Sequence, residues 1–94
     1  MIHQYKNNGY NIVLDVNSGS VHVVDDIVYD IIPVVEKMLA EGVTKREDML
    51  SHIIRMRESG DIQVNQDVPE SLLEEALEEI LELKDAGMLL TEDL

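Results

Sequence analysis

Asn8-Gly9-Tyr10-Asn11-Ile12-Val13-Leu14-Asp15-Val16-Asn17-Ser18-Gly19-Ser20 is the stretch on which the fold turns. Asn-Gly predicts a two-residue hairpin turn of type I′, which needs positive φ at two successive residues. Beyond it, Tyr10, Ile12, Leu14 and Val16 alternate with Asn11, Val13 and Asp15. That period of two, with one apolar face, is the sign of a half-buried strand. Ile2 to Lys6 is the expected partner strand. Asn17-Ser18-Gly19-Ser20 reads as a second turn, and Val21-His22-Val23-Val24 as a short third strand. Two tight turns in succession give a three-stranded antiparallel meander of order 1-2-3. Its third strand is then an edge with unpaired backbone groups.

The pattern changes after Asp25-Asp26, which stops the strand and supplies a helix N-cap. Ile27, Val28, Ile31, Ile32, Val35, Met38 and Leu39 recur at helical spacing, and Gly42 ends the run. Pro33 sits inside it and removes one backbone donor, so a kink is expected there. Thr44 with Glu47 three residues on resembles a capping box. Leu50, Ile53 and Ile54 make the stripe of that second helix, and Gly60 closes it. A polar connection over 61–67 leads to a third helix. It opens near Asp67-Val68-Pro69-Glu70, runs to Ala86 and stops at Gly87. Met88-Leu89-Leu90 reads as a short extended stretch. The order β-β-β-α-α-α predicts an α+β domain, winged-helix-like, with the helices on one face of the sheet.

Composition bounds the function. A chain of 94 residues is a single small domain, 1–94, with one modest core. With no Trp, no Phe and three Tyr, that core is made of Leu, Ile, Val and Met. The 20 acidic residues outnumber 7 Lys and Arg, a formal net charge of −13. This argues against nucleic acid, whose phosphates need neutralising, and against an anionic membrane surface. With no cysteine, disulfides, thiolate metal sites and cysteine nucleophiles are excluded within the chain. No apolar run approaches the roughly 18–20 residues of a membrane span. Nor does the N-terminus carry the apolar stretch of a signal peptide, so a cytoplasmic domain is the default. His3, His22 and His52 fall on two different strands and a helix, with no ligand pair at helical spacing, so ordinary polar positions are the plainer reading. No phosphate loop, nucleophile motif or catalytic dyad is present, and the chain alone is not expected to be an enzyme.

The third helix carries the most information. Glu70, Glu74, Glu78 and Glu82 form an i, i+4 ladder of like charge. From Asp61 to Leu94 only Lys84 is basic, against eleven acids. This is either a solvated face or a surface that attracts a basic segment. Leu72, Ala76, Ile80 and Leu83 form one apolar stripe, and Leu73, Leu77 and Leu81 a second. Together they exceed the roughly 100° that a helix facing one core requires. Either the helix is buried on two sides or one stripe lines an open groove. An apolar groove beside an exposed strand edge suits peptide capture by strand addition.

Several of these segments resemble a known family. Asn8-Gly9-Tyr10, Ile12 to Gly19 and Val21-His22-Val23-Val24-Asp25, within Ile2 to Asp30, are similar to the N-terminus of the SCIFF-peptide thioether maturases, which are radical S-adenosylmethionine enzymes. The tail, with Ala86-Gly87 and Leu89-Leu90-Thr91-Glu92-Asp93, resembles the segment leading into their catalytic barrel. The likeness is weakest over 36–70. It implies a PqqD-like RiPP recognition element, which captures the leader of a ribosomally made precursor peptide as an added strand. Carried onto this chain, the peptide-binding residues are Val21, His22, Val23 and Val24, with Leu73, Leu77, Leu81 and Lys84 on the facing helix. The expected partner is a Cys-rich precursor whose leader carries Lys.

The family's S-adenosylmethionine and 4Fe-4S clusters need cysteines that this chain lacks, so no cofactor is expected here. The chain then reads as either a truncated maturase or a stand-alone homologue, and its end at Leu94 favours truncation. The alternative reading is an acidic winged-helix interaction or regulatory domain without a peptide ligand. The exposed edge would also permit self-association.

Overall fold

The computed structural model describes residues 2–90. It has three strands, β1 (Ile2–Asn7), β2 (Tyr10–Asp15) and β3 (Ser20–Val24), followed by three helices, α1 (Asp26–Ala40), α2 (Arg46–Ser59) and α3 (Glu70–Asp85). The sheet is antiparallel in the order β1-β2-β3, so the expected α+β arrangement is found. The first hairpin closes through Asn8 and Gly9, at φ 52° and 82°, the pair of positive angles a type I′ turn demands. The second turn is organised by Asp15. Its carbonyl accepts from the Gly19 amide at 2.8 Å and its carboxylate from the Asn17 amide at 3.0 Å.

The face of β2 that meets the helices is the opposite of the one its apolar alternation suggests. Asn11, Val13 and Asp15 are buried, whereas Tyr10 is 60% exposed and Ile12 and Leu14 are half-buried on the outer side. Hydrogen bonds account for the inversion. Asn11 Nδ2 donates to Asp26 Oδ1 at 2.7 Å, fastening β2 to the start of α1. Asp15 must be inside to hold the second turn. A buried polar side chain with partners costs little, so two of three inward positions can be polar.

α1 begins as expected, with the Asp25 carboxylate accepting the Val28 amide at 2.8 Å. Pro33 lies within the continuous helix, and its missing N–H would have served the Tyr29 carbonyl. Gln4 of β1 takes that role, donating from Nε2 to the Tyr29 oxygen at 2.6 Å. The break that proline makes in the helix ladder is thus the point where the sheet docks.

α2 starts at Arg46 after an N-cap at Lys45 that makes no side-chain bond, so the Thr44–Glu47 capping box does not form. Its phase is set by Met49, Ile53 and Arg57, which recur every four residues and are all buried. Arg57 Nη1 donates to the Val68 carbonyl at 2.5 Å, and Gln66 donates to the Arg57 carbonyl at 2.5 Å. These bonds tie down the 61–68 connection, which also buries Ile62 and Val64. Pro69 occupies the N-cap of α3 and Gly87, at φ 74°, follows its end. The Met88 N–H to the Leu83 carbonyl at 2.9 Å and the Gly87 N–H to the Lys84 carbonyl at 3.0 Å complete a Schellman motif. Residues 88–90 turn rather than extend, with Leu90 at φ 53° and both leucines buried. The core lies between the inner face of the sheet and α1, and among α1, α2 and α3.

Candidate functional site

Among the described residues β3 has β2 as its one neighbour in the sheet, and no described strand pairs with its other edge. Alternation divides its side chains between two faces. Val21 and Val23 stand opposite Leu14 and Ile12 and are 62% and 65% exposed on the outer face. His22 and Val24 lie on the inner face with Val13 and Asn11, and Val24 packs against the core.

What stands next to the inner side of β3 is the turn after α3. His22 Nε2 lies 2.8 Å from the Met88 carbonyl oxygen, and Ser18 Oγ donates to the same oxygen at 3.3 Å. A carbonyl only accepts, so Nε2 carries the proton in this contact. Nothing in the apolar or charge pattern singles out Met88. The signal for it is Gly87: a left-handed residue after a helix reverses the chain and returns the next residue onto the body of the domain.

The helical half of the expected site needs correction. Leu73 and Leu77 have no exposed surface and belong to the core. They line no groove beside β3. Ala76 and Ile80 of the other stripe are buried as well. The wide apolar sector of α3 reflects burial on two sides, by α1 and by α2. Leu81 packs on the edge of the core, Lys84 is half-buried, and Met88 is 48% exposed beyond the helix end. The part of the site that remains accessible is therefore β3 with Leu81, Lys84 and Met88.

The glutamate ladder is partly compensated. Arg46 of α2 reaches Glu74 at 3.4 Å and also pairs with Glu78. Exposed pairs of this kind contribute at most about 1 kcal/mol each. Glu70, Glu75, Glu79 and Glu82 remain at the surface. A cavity of about 530 Å³ lies elsewhere, between the end of α1 and α2, lined in part by Met38, Val43, Lys45, His52 and Arg55. It contains none of the residues expected to bind peptide. Burial raises the Asp30 carboxyl above its usual 3.8, with Lys6 opposing the shift and Asp26 adding to it. Among the described residues no group of three or more acidic or histidine side chains is placed to hold a metal ion, and no helix is long and apolar enough to cross a membrane.

Comparison with protein-family models and with curated proteins gives no match. The Thr91-Glu92-Asp93 part of the family resemblance lies outside the described residues.

Proposed function

We propose that the domain captures the leader segment of a ribosomally synthesised precursor peptide as a fourth strand on β3. It then delivers the core peptide to the radical S-adenosylmethionine, thioether-forming part of a longer cytoplasmic maturase. The chain itself is non-catalytic, and the S-adenosylmethionine and iron–sulfur chemistry belongs to that other part. The observation that carries this reading is the outer edge of β3, which no described strand covers. Backbone groups along such an edge supply affinity, and pockets for alternate side chains supply specificity. His22 and the Met88 turn flank the inner side of the added strand, while Val21 and Val23 flank the outer side. The sequence likeness over Ile2 to Asp30 supports the kind of peptide.

The test is calorimetry of the domain with the leader of a short Cys-rich precursor encoded beside its gene, in the absence of iron and S-adenosylmethionine. Saturable binding is expected. Val23→Pro and His22→Pro each remove one backbone donor, and the one whose N–H faces outward should weaken binding at least about 10-fold. Far-UV circular dichroism should stay unchanged in that variant. Folded variants that both bind like the parent would refute strand addition at β3.

A further inference from the structure

The outer face of the sheet is accessible, largely apolar, and built from strand residues none of which is acidic. Across the strands it reads His3–Leu14–Val21, then Tyr5–Ile12–Val23, then Asn7–Tyr10. Not one of these eight side chains is a carboxylate, in a chain that carries 20 acidic residues. Tyr5, Tyr10, Val21 and Val23 are 48%, 60%, 62% and 65% exposed. Together they offer on the order of 400 Å² of side chain, comparable to the largest patch on a typical monomer. Val21 and Val23 stand on the edge strand, but their side chains face outward, across the sheet from the inner side and apart from the backbone groups of the edge.

We infer that this face is a homodimer interface, in which two copies stack sheet on sheet about a two-fold axis. Charge restricts where two copies can meet. Two copies at −13 each repel wherever carboxylates approach, and acidic α3 is the worst such surface. The outer sheet face lets them meet with no strand carboxylate in the contact, and Asp25 at its margin accepts the Val28 amide. Shape agrees as well. A two-fold along β2 lays β1 of one copy over β3 of the other. Tyr5 then faces Val23, large on small, while Ile12 meets Ile12 and Tyr10 meets Tyr10. Stacked sheets pack about 10 Å apart with strands within about 30°, a spacing these side chains fill. The area sets the strength. Burying the patch on both copies removes about 800 Å², below the roughly 1,600 Å² of a standard interface, so the dimer is weak and reversible.

Sedimentation equilibrium of the whole chain from about 10 μM to about 1 mM tests this. The expected mass rises with concentration from 10.7 kDa towards twice that value. It should rise further in about 0.5 M than in about 0.05 M sodium chloride, because salt screens the repulsion. Tyr5→Lys on β1 and Tyr10→Lys on β2 should each weaken association at least about 10-fold, with unchanged far-UV circular dichroism. Neither position lies on β3, so self-pairing through the β3 edge would be indifferent to both. A chain that stays monomeric at about 1 mM in high salt overturns the inference. So does a dimer that survives both substitutions.

Discussion

Asp30 shows how one residue couples this fold to pH. Burial raises its carboxyl above the usual 3.8, and Lys6 does not fully offset that. The folded state therefore holds the Asp30 proton more tightly than the unfolded chain does. Linkage then has one sign: this group's contribution to stability is greatest below the ordinary carboxylate pKa and is lost as pH rises through the raised value. Asp30→Asn removes that loss. The variant should be more stable than the parent at about pH 7, and the difference should vanish near pH 3. Urea midpoints between about pH 3 and 8 measure it, and a constant difference across that range would rule it out. Gln4 and Asn11 act at the same scale through hydrogen bonds, at 2.6 Å to the Tyr29 carbonyl and 2.7 Å to Asp26. Each supplies a donor to an acceptor on α1, and both lie on the inner face of the sheet.

At the scale of an element, α3 decides between groove and core. Leu73, Leu77 and Ile80 have no exposed surface, so this helix is a central support of the domain. Leu77→Ala should cost about 2–5 kcal/mol. That is a large part of the roughly 5–15 kcal/mol holding a domain of this kind. Leu77→Asp should abolish the cooperative thermal transition, because an unpaired charge would be buried. Were Leu77 a groove residue, both variants would instead keep the parent melting temperature and lose only peptide binding.

For the whole molecule, charge governs how the domain responds to its surroundings. Its −13 is carried on a body with a radius of gyration of 12.7 Å, close to a Debye length at moderate salt. Raising sodium chloride from about 0.05 to 0.5 M shortens that length from roughly 14 to 4 Å. Self-repulsion falls, and the melting temperature should rise by about 5 °C for each kcal/mol gained. Capture of a Lys-containing leader should move the other way and weaken several-fold, mainly in the on-rate. Binding that ignores salt would reduce the exposed glutamates of α3 to a solvated face.

Local chemistry made much of the architecture readable in one dimension. Asn8-Gly9 can close a tight hairpin wherever it stands, Asp25 can cap a helix from its own side chain, and Gly42, Gly60 and Gly87 can end helices because they tolerate positive φ. So the element order, the strand pairing and the place of β3 at the end of the described sheet followed from neighbours within a few residues. What needed the tertiary structure was every choice between faces. An alternating strand is apolar on one side, yet β2 turns Asn11 and Asp15 inward, because their hydrogen-bond partners lie on α1 and in the second turn. A helix with two apolar stripes can line a groove or be buried twice, and only packing against both α1 and α2 placed Leu73 and Leu77 in the core. Periodicity reports that a face exists. Which way it points is set by what the rest of the chain brings against it.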